Sequence, residues 1–218
     1  MKKNNTISKM MIDISLITVS LILAYITLDL KNSNLSVPLS YSGDSLFIGY
    51  NVKTIQEFGW WFKNPKVGMP FGATVYDFPL YFDSLSFFII KFLLIIFGNW
   101  GKAINVFYII QFPMTALISK YVMREFKINN FIAFLGSVCY AFLPYRFLRS
   151  TNHLFLSAYY FIPIIILILY WIYSNGEMLK ISRDRKNILI ILVLIITPIS
   201  GIYYAFFYGI FSIYDISF

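Results

Sequence analysis

The sequence predicts an all-α integral membrane protein, organised as a single transmembrane domain over residues 1–218. Three observations carry this. Apolar residues gather in blocks long enough to cross a bilayer, not in alternating or short amphipathic patterns. Hydrophobic residues make up 59% of the chain and charged ones only 13%, too few to cover the surface of a soluble domain of this size. The basic residues behind the +8 net charge sit mostly in short links between apolar blocks, a topology signal. Their placement sets nucleic acid aside as a partner and names the lipid bilayer instead.

The first block, residues 11–30, follows Lys2, Lys3 and Lys9. It exceeds the apolar core of a signal peptide, and Ser36-Val37-Pro38 is a poor cleavage site, so it reads as a retained signal anchor. Further spans are predicted at 103–122, 130–148 and 154–173, and a fifth at 188–213, interrupted by Pro198 and Gly201. Pro113, Pro144 and Pro163 fall within or near the ends of spans, where each removes a backbone donor. The lone cysteine, Cys139, lies in an apolar run and predicts a buried small hydrophobe, with no disulfide or CxxC site.

Leu85–Phe97 is apolar but short: thirteen helical residues reach ~20 Å against a hydrocarbon core of ~30 Å. Charge decides its placement. Were it a span, the basic links around Arg124 and Arg183 would both lie outside; as an interfacial segment, it returns both to the cytoplasm. The predicted topology is therefore a multi-pass protein of the cytoplasmic membrane, N-terminus inside, with an outer loop over 31–102 and a short one near 146–153. Within the long loop, 44–62 has helical amphipathicity, with Phe47, Ile48, Val52, Ile55, Phe58 and Phe62 on one face. Trp60 and Trp61 are expected at headgroup level. A second interfacial helix is expected over 83–98, after a turn-rich stretch at 64–72.

Candidate functional residues lie in these outer loops. Asp44 opens the first interfacial helix, where the helix N-terminus stabilises a carboxylate and an N-cap is the simplest role. Asp77 is held between Tyr76 and Phe78-Pro79, and Asp83 precedes Ser84 as an expected cap. In the short loop, helical spacing puts Arg146 with Arg149, and Arg149 with His153, on one face. Two outer arginines oppose the positive-inside preference. A lipid-linked phosphate, which guanidinium groups meet bidentately, would offset that; headgroups, Asp44 or Asp77 are the other partners. His153, the only histidine, suits proton transfer, metal contact or an interfacial hydrogen bond. No phosphate-binding glycine loop, zinc helix or nucleophile elbow is present, and Lys91 alone is ionisable near the centre of an apolar segment, which counts against an ion-coupled transporter.

Gly43-Asp44-Ser45-Leu46-Phe47-Ile48-Gly49-Tyr50 with Glu57-Phe58-Gly59, then Phe78-Pro79-Leu80 before a helix ending Phe97-Gly98, then Tyr121-Val122-Met123-Arg124-Glu125-Phe126, resemble the N-terminal half of the GT-C type membrane glycosyltransferases over about residues 8–175. The resemblance implies a signal-anchor helix, an outer loop with two juxtamembrane helices, and an acid near its start. It implies inverting transfer of a sugar from a polyprenyl-phosphate-linked donor to a glycan, lipid or protein acceptor. Asp44 would then be the catalytic base, with Asp77 and His153 positioning acceptor or metal, and Arg146 and Arg149 on the lipid phosphate. No metal ligand set is assigned, and a need for a divalent metal stays open. The sequence departs from relatives in having Ser45 after Asp44, where one protein-mannosylating branch has a second acid. His153 also stands in a region where relatives often carry an acid. The chain ends after five predicted spans where relatives continue, so the C-terminal part is expected to be missing. A lipid-linked-glycan flippase or export component, or an inactive truncated subunit, are the alternative expectations.

Overall fold

A computed structural model describes residues 2–75, 83–175, 185–201, 203–206 and 209. The described chain is predominantly helical, and three of its helices are long and apolar enough to cross a membrane: Ile7–Thr27, Trp100–Glu125 and Asn130–Arg149.

The first lies within α1, Lys2–Thr27. Its 21 residues measure ~31 Å, a full hydrocarbon core. Two of its hydroxyls are satisfied inside the helix: Ser15 donates to the Ile12 carbonyl and Thr18 to that of Ile14. The helix ends three residues before the predicted 30. Asp29 adopts a left-handed φ of 48°, and Leu30 N–H reaches back to the Tyr25 carbonyl, closing the turn.

The chain then lies as a strap across the start of α4, Trp100–Glu125. Buried Asn105 ties it down, donating to the Leu35 and Val37 carbonyls and accepting from Leu39 N–H at 3.0 Å. Gly101 permits the approach, since a Cβ there would stand 2.6 Å from the Ser36 carbonyl oxygen. Replacing Asn105 with Ala deletes three hydrogen bonds. The expected cost is about 2–4 kcal/mol, seen as a lower unfolding midpoint and faster proteolysis within residues 34–43.

α2, Asp44–Phe58, and α3, Ser84–Phe97, pack on α4. α2 stops short of the predicted 62 because Gly59 takes the left-handed cap at φ 82°. Between them, Lys63–Asn64 pairs antiparallel with Ala73–Thr74, a small ribbon absent from the all-α prediction. The tryptophan expectation fails for one of the pair. Trp60 is half-buried, but Trp61 is fully buried, with Phe87 5.4 Å and Phe62 4.7 Å away between ring centroids. The turn after Gly59 aims Trp61 into the core instead of along the helix face. α3 buries Phe87, Ile90 and Leu94 yet exposes Phe88, Phe92, Ile95 and Ile96, a two-sided apolar helix whose outer face suits acyl chains.

α4 is the central helix, packed by α1, by α3 and by the helices Asn130–Ala141 and Ile162–Asn175 that follow it. α5, Asn130–Ala141, and α6, Pro144–Arg149, divide the predicted 130–148 span, because Pro144 opens a new helix at its first position. Cys139 is exposed on the outer flank of α5, correcting the expected burial. Residues 151–157 form turns, a 3-10 turn follows at Tyr159–Phe161, and α7 runs Ile162–Asn175. α8, Arg185–Ser200, contains Pro198 and ends before Gly201. The apolar helix at Tyr159–Trp171 is shorter than the span predicted at 154–173, and Asn187–Ser200 covers the first part of the one predicted at 188–213, whose residues 202, 207–208 and 210–213 lie outside the described residues.

Candidate active site

The strap, the start of α2 and the turns after α6 meet at one end of the bundle. Gly43 takes the N-cap position of α2 with φ 53°, so Asp44 is the first helical residue and not the cap. The capping contacts are made by Ser45, whose Oγ accepts from Ser42 N–H at 2.9 Å and donates to the Ser42 carbonyl. That frees the Asp44 carboxylate, 70% exposed, to point outward. It meets His153: Nδ1 lies 3.1 Å from Oδ2. Oδ1 has no hydrogen-bond partner among the described residues.

His153 is held from its own side. Its N–H donates to the Arg149 carbonyl and its carbonyl accepts from Ser157 N–H, keeping the predicted one-turn spacing from Arg149 beyond the formal end of α6. Asn152, its neighbour, accepts a 2.6 Å hydrogen bond from Ser40 of the strap. The two loops are thus pinned together beside the Asp44–His153 pair. The sequence offered no acid close to His153 in the chain; the partner comes from the other loop.

The two arginines separate. Arg149 is half-buried, its guanidinium 5.3 Å from the Tyr145 ring centre, with no acid partner among the described residues. Arg146 is fully buried. Its Nη2 donates to Thr115 Oγ1 at 2.6 Å, and longer contacts reach Gln111 Oε1 and the Tyr159 hydroxyl, both 3.4 Å. The rings of Phe112 and Tyr159 flank it, 4.6 and 4.5 Å from the guanidinium carbon. A phosphate outside the bundle does not reach it here, which removes Arg146 as a direct lipid-phosphate ligand. The physical reason is the ladder Gln111, Thr115 and Ser119 on α4, polar residues at i, i+4 spacing that give an inward-facing cation neutral acceptors. That ladder was the signal for Arg146's burial. It also binds itself: Thr115 donates to the Gln111 carbonyl and Ser119 to that of Thr115, so the stripe is packed interior, not a polar path.

Asp77, with its Tyr76 and Phe78-Pro79 setting, lies outside the described residues. Asp83 precedes α3, but its side chain makes no capping hydrogen bond. It is half-buried beside Gly201, and desolvation pushes its carboxyl from 3.8 to about 7. The folded chain then holds a proton that the unfolded chain has released, so stability falls as pH rises from about 4 to about 7 and is level above. Asp83→Asn should flatten that slope in unfolding midpoints measured across this window. Among the described residues no group of three or more His, Cys, Asp or Glu side chains is placed to hold a metal ion.

Comparison with protein-family models, with curated proteins and with solved structures finds no match.

Proposed function

We propose that the chain is a multi-pass glycosyltransferase of the cytoplasmic membrane, similar to the GT-C type, with five spans, its N-terminus inside, and its reacting end at the outer face. The donor is a polyprenyl-phosphate-linked sugar and the acceptor a hydroxyl of a glycan or lipid. The observation that carries this reading is the Asp44–His153 pair, an exposed carboxylate oriented by an imidazole across two loops pinned to each other.

In the proposed reaction, Asp44 Oδ1 accepts the acceptor's hydroxyl proton while the acceptor oxygen attacks the anomeric carbon. The bond from that carbon to the lipid phosphate breaks, and its electron pair leaves on the phosphate oxygen. Arg149, half-buried and without an acid partner among the described residues, neutralises that charge. His153 is a positioning residue that fixes Oδ2. Arg146 supports the loop from inside: Tyr108 donates to its carbonyl, and its guanidinium anchors α6 to α4. Exposed Tyr41, whose ring centroid is 6.4 Å from that of Trp100, offers an aromatic face for a sugar.

The test is to supply purified protein in lipid vesicles with radiolabelled polyprenyl-phosphate sugars of several kinds and a membrane-extract acceptor. Label moving to acceptor with release of polyprenyl phosphate supports the reading. No transfer from any donor, with the protein demonstrably folded, overturns it.

A further inference from the structure

A second polar concavity lies far from Asp44. Asn105 holds the strap at one end of α4, and Lys120 follows fifteen residues later, ~22 Å along the helix. There a cavity of about 540 Å³ opens between α1, the last turns of α4 and the start of α5, lined by Lys9, Asp13, Lys120, Arg124, Glu125 and Asn130 among others. Lys120 is almost buried, and its ammonium pairs with Asp13 at 2.6 Å, which cancels both charges. Arg124 spends one guanidinium nitrogen on the Ile128 carbonyl, leaving the rest of its fork available. Neither Lys9 nor Arg124 has an acid partner among the described residues. Glu125 is the one remaining acid in the lining, so the cavity keeps a net positive charge.

The surroundings of this cavity are apolar. Ile12 also borders a second, open concavity of about 520 Å³ along α1, lined by Ile7, Ser8, Met11 and Ser15. On the other side, α5 exposes Phe131, Ile132 and Leu135. A basic polar hollow thus continues into a greasy groove on the same helix. A free anion would use only the first half of that arrangement; a phospholipid uses both.

We propose that this paired concavity binds one anionic phospholipid, its phosphate held by Arg124 and Lys9 and an acyl chain laid along the Ile7–Ser15 face of α1. The charge distribution along the chain assigns this end of the bundle to the cytoplasmic leaflet, where basic pockets between helices meet anionic headgroups. The bound lipid fastens α1 to α4 and α5 at the end where Asp13 and Lys120 are the sole described ion pair. The site stands apart from the proposed transfer chemistry and does not depend on it.

The experiment titrates the full chain, purified in a maltoside detergent, with dioleoyl-phosphatidylglycerol, with dioleoyl-phosphatidylcholine, or with inorganic phosphate, and follows the unfolding midpoint. Phosphatidylglycerol should raise the midpoint saturably and phosphatidylcholine should not. Lys9→Gln and Arg124→Gln should each raise the half-saturating lipid concentration about fivefold, and the double variant should lose the response. Lys53→Gln, on the outer loop, should keep it. Lys9 is exposed, so its variant folds whether or not lipid binds. An equal rise with phosphatidylcholine, or an unchanged response in the double variant, overturns the site. Inorganic phosphate reproducing the whole rise would replace the lipid with a free anion and overturn the proposal.

Discussion

Asp44→Asn should lower sugar transfer by about 10²–10⁴-fold, the contribution of a positioned general base, while leaving folding untouched. The substitution keeps the shape and the hydrogen-bond acceptor that meets His153, and removes only the ability to take a proton. Asp44 is 70% exposed and does not cap α2, since Gly43 holds the cap position and Ser45 makes the turn contacts, so little stability depends on it. A capping role would instead appear as a lower unfolding midpoint with activity following protein quantity. The companion variant is His153→Gln, which keeps a polar partner but cannot carry charge. It should reduce turnover less, about tenfold, because a positioning residue acts through the carboxylate. Its diagnostic is a lower kcat at an unchanged unfolding midpoint. Unchanged transfer by Asp44→Asn, measured at equal folded protein, would remove Asp44 as the base.

Arg149→Gln separates the two arginines. With the guanidinium at the half-buried edge and Tyr145 as its one described ring contact, its loss should leave the unfolding midpoint in place. Under the proposed function it should weaken donor use, read as a higher KM for the polyprenyl-phosphate sugar together with a lower kcat. A variant with wild-type kinetics would leave the phosphate without its assigned partner.

How much of this was legible beforehand varied by element, for physical reasons. α1 and α4 were readable because a bilayer-length apolar run has few alternative folds. Gly59 and Gly98 were readable as helix ends in principle, since left-handed caps favour glycine; the expected helix ran past Gly59 to 62 because its apolar spacing continues through Phe62. Trp61 is expected at headgroup level because tryptophan favours membrane interfaces, but the turn at Gly59 carries it into the core. The helix α7 is shorter than the span expected there because hydropathy counts apolar turns, such as those at 154–157, together with the helix that follows. At the site, residue identity was legible and pairing was not. Asp44 and His153 lie in different loops, and nothing local predicts that Ser40 and Asn152 draw those loops together. The same gap hid Asn105, whose three bonds to the strap are all long-range.

Arg146→Ala should be the most destabilising single change in the described bundle, at about 3–5 kcal/mol. Truncation deletes a fully buried side chain between two aromatic rings and leaves a cavity there. It also takes one hydrogen bond from each of Thr115 and Gln111, both buried. Gln111 keeps some satisfaction through Ser157, whose Oγ donates to the same Oε1 at 3.0 Å, which holds the cost below the sum of its parts. Arg146→Lys keeps the charge but loses the planar stack on Phe112 and Tyr159 and the forked reach to Thr115 and Gln111, so it should recover only part of the loss. Arg146→Met tests whether charge or volume dominates: a well-packed apolar replacement of a buried cation can be close to neutral, although here it would take one hydrogen bond from each of Thr115 and Gln111. Because Arg146 lies behind the loop that carries Arg149 and His153, any transfer activity should fall in step with the population that keeps α6 docked on α4. Measured by unfolding in detergent, Arg146→Ala within about 1 kcal/mol of wild type would show that the guanidinium is a passenger, and that packing by Phe147 and Phe142 against Phe112 holds the loop without it.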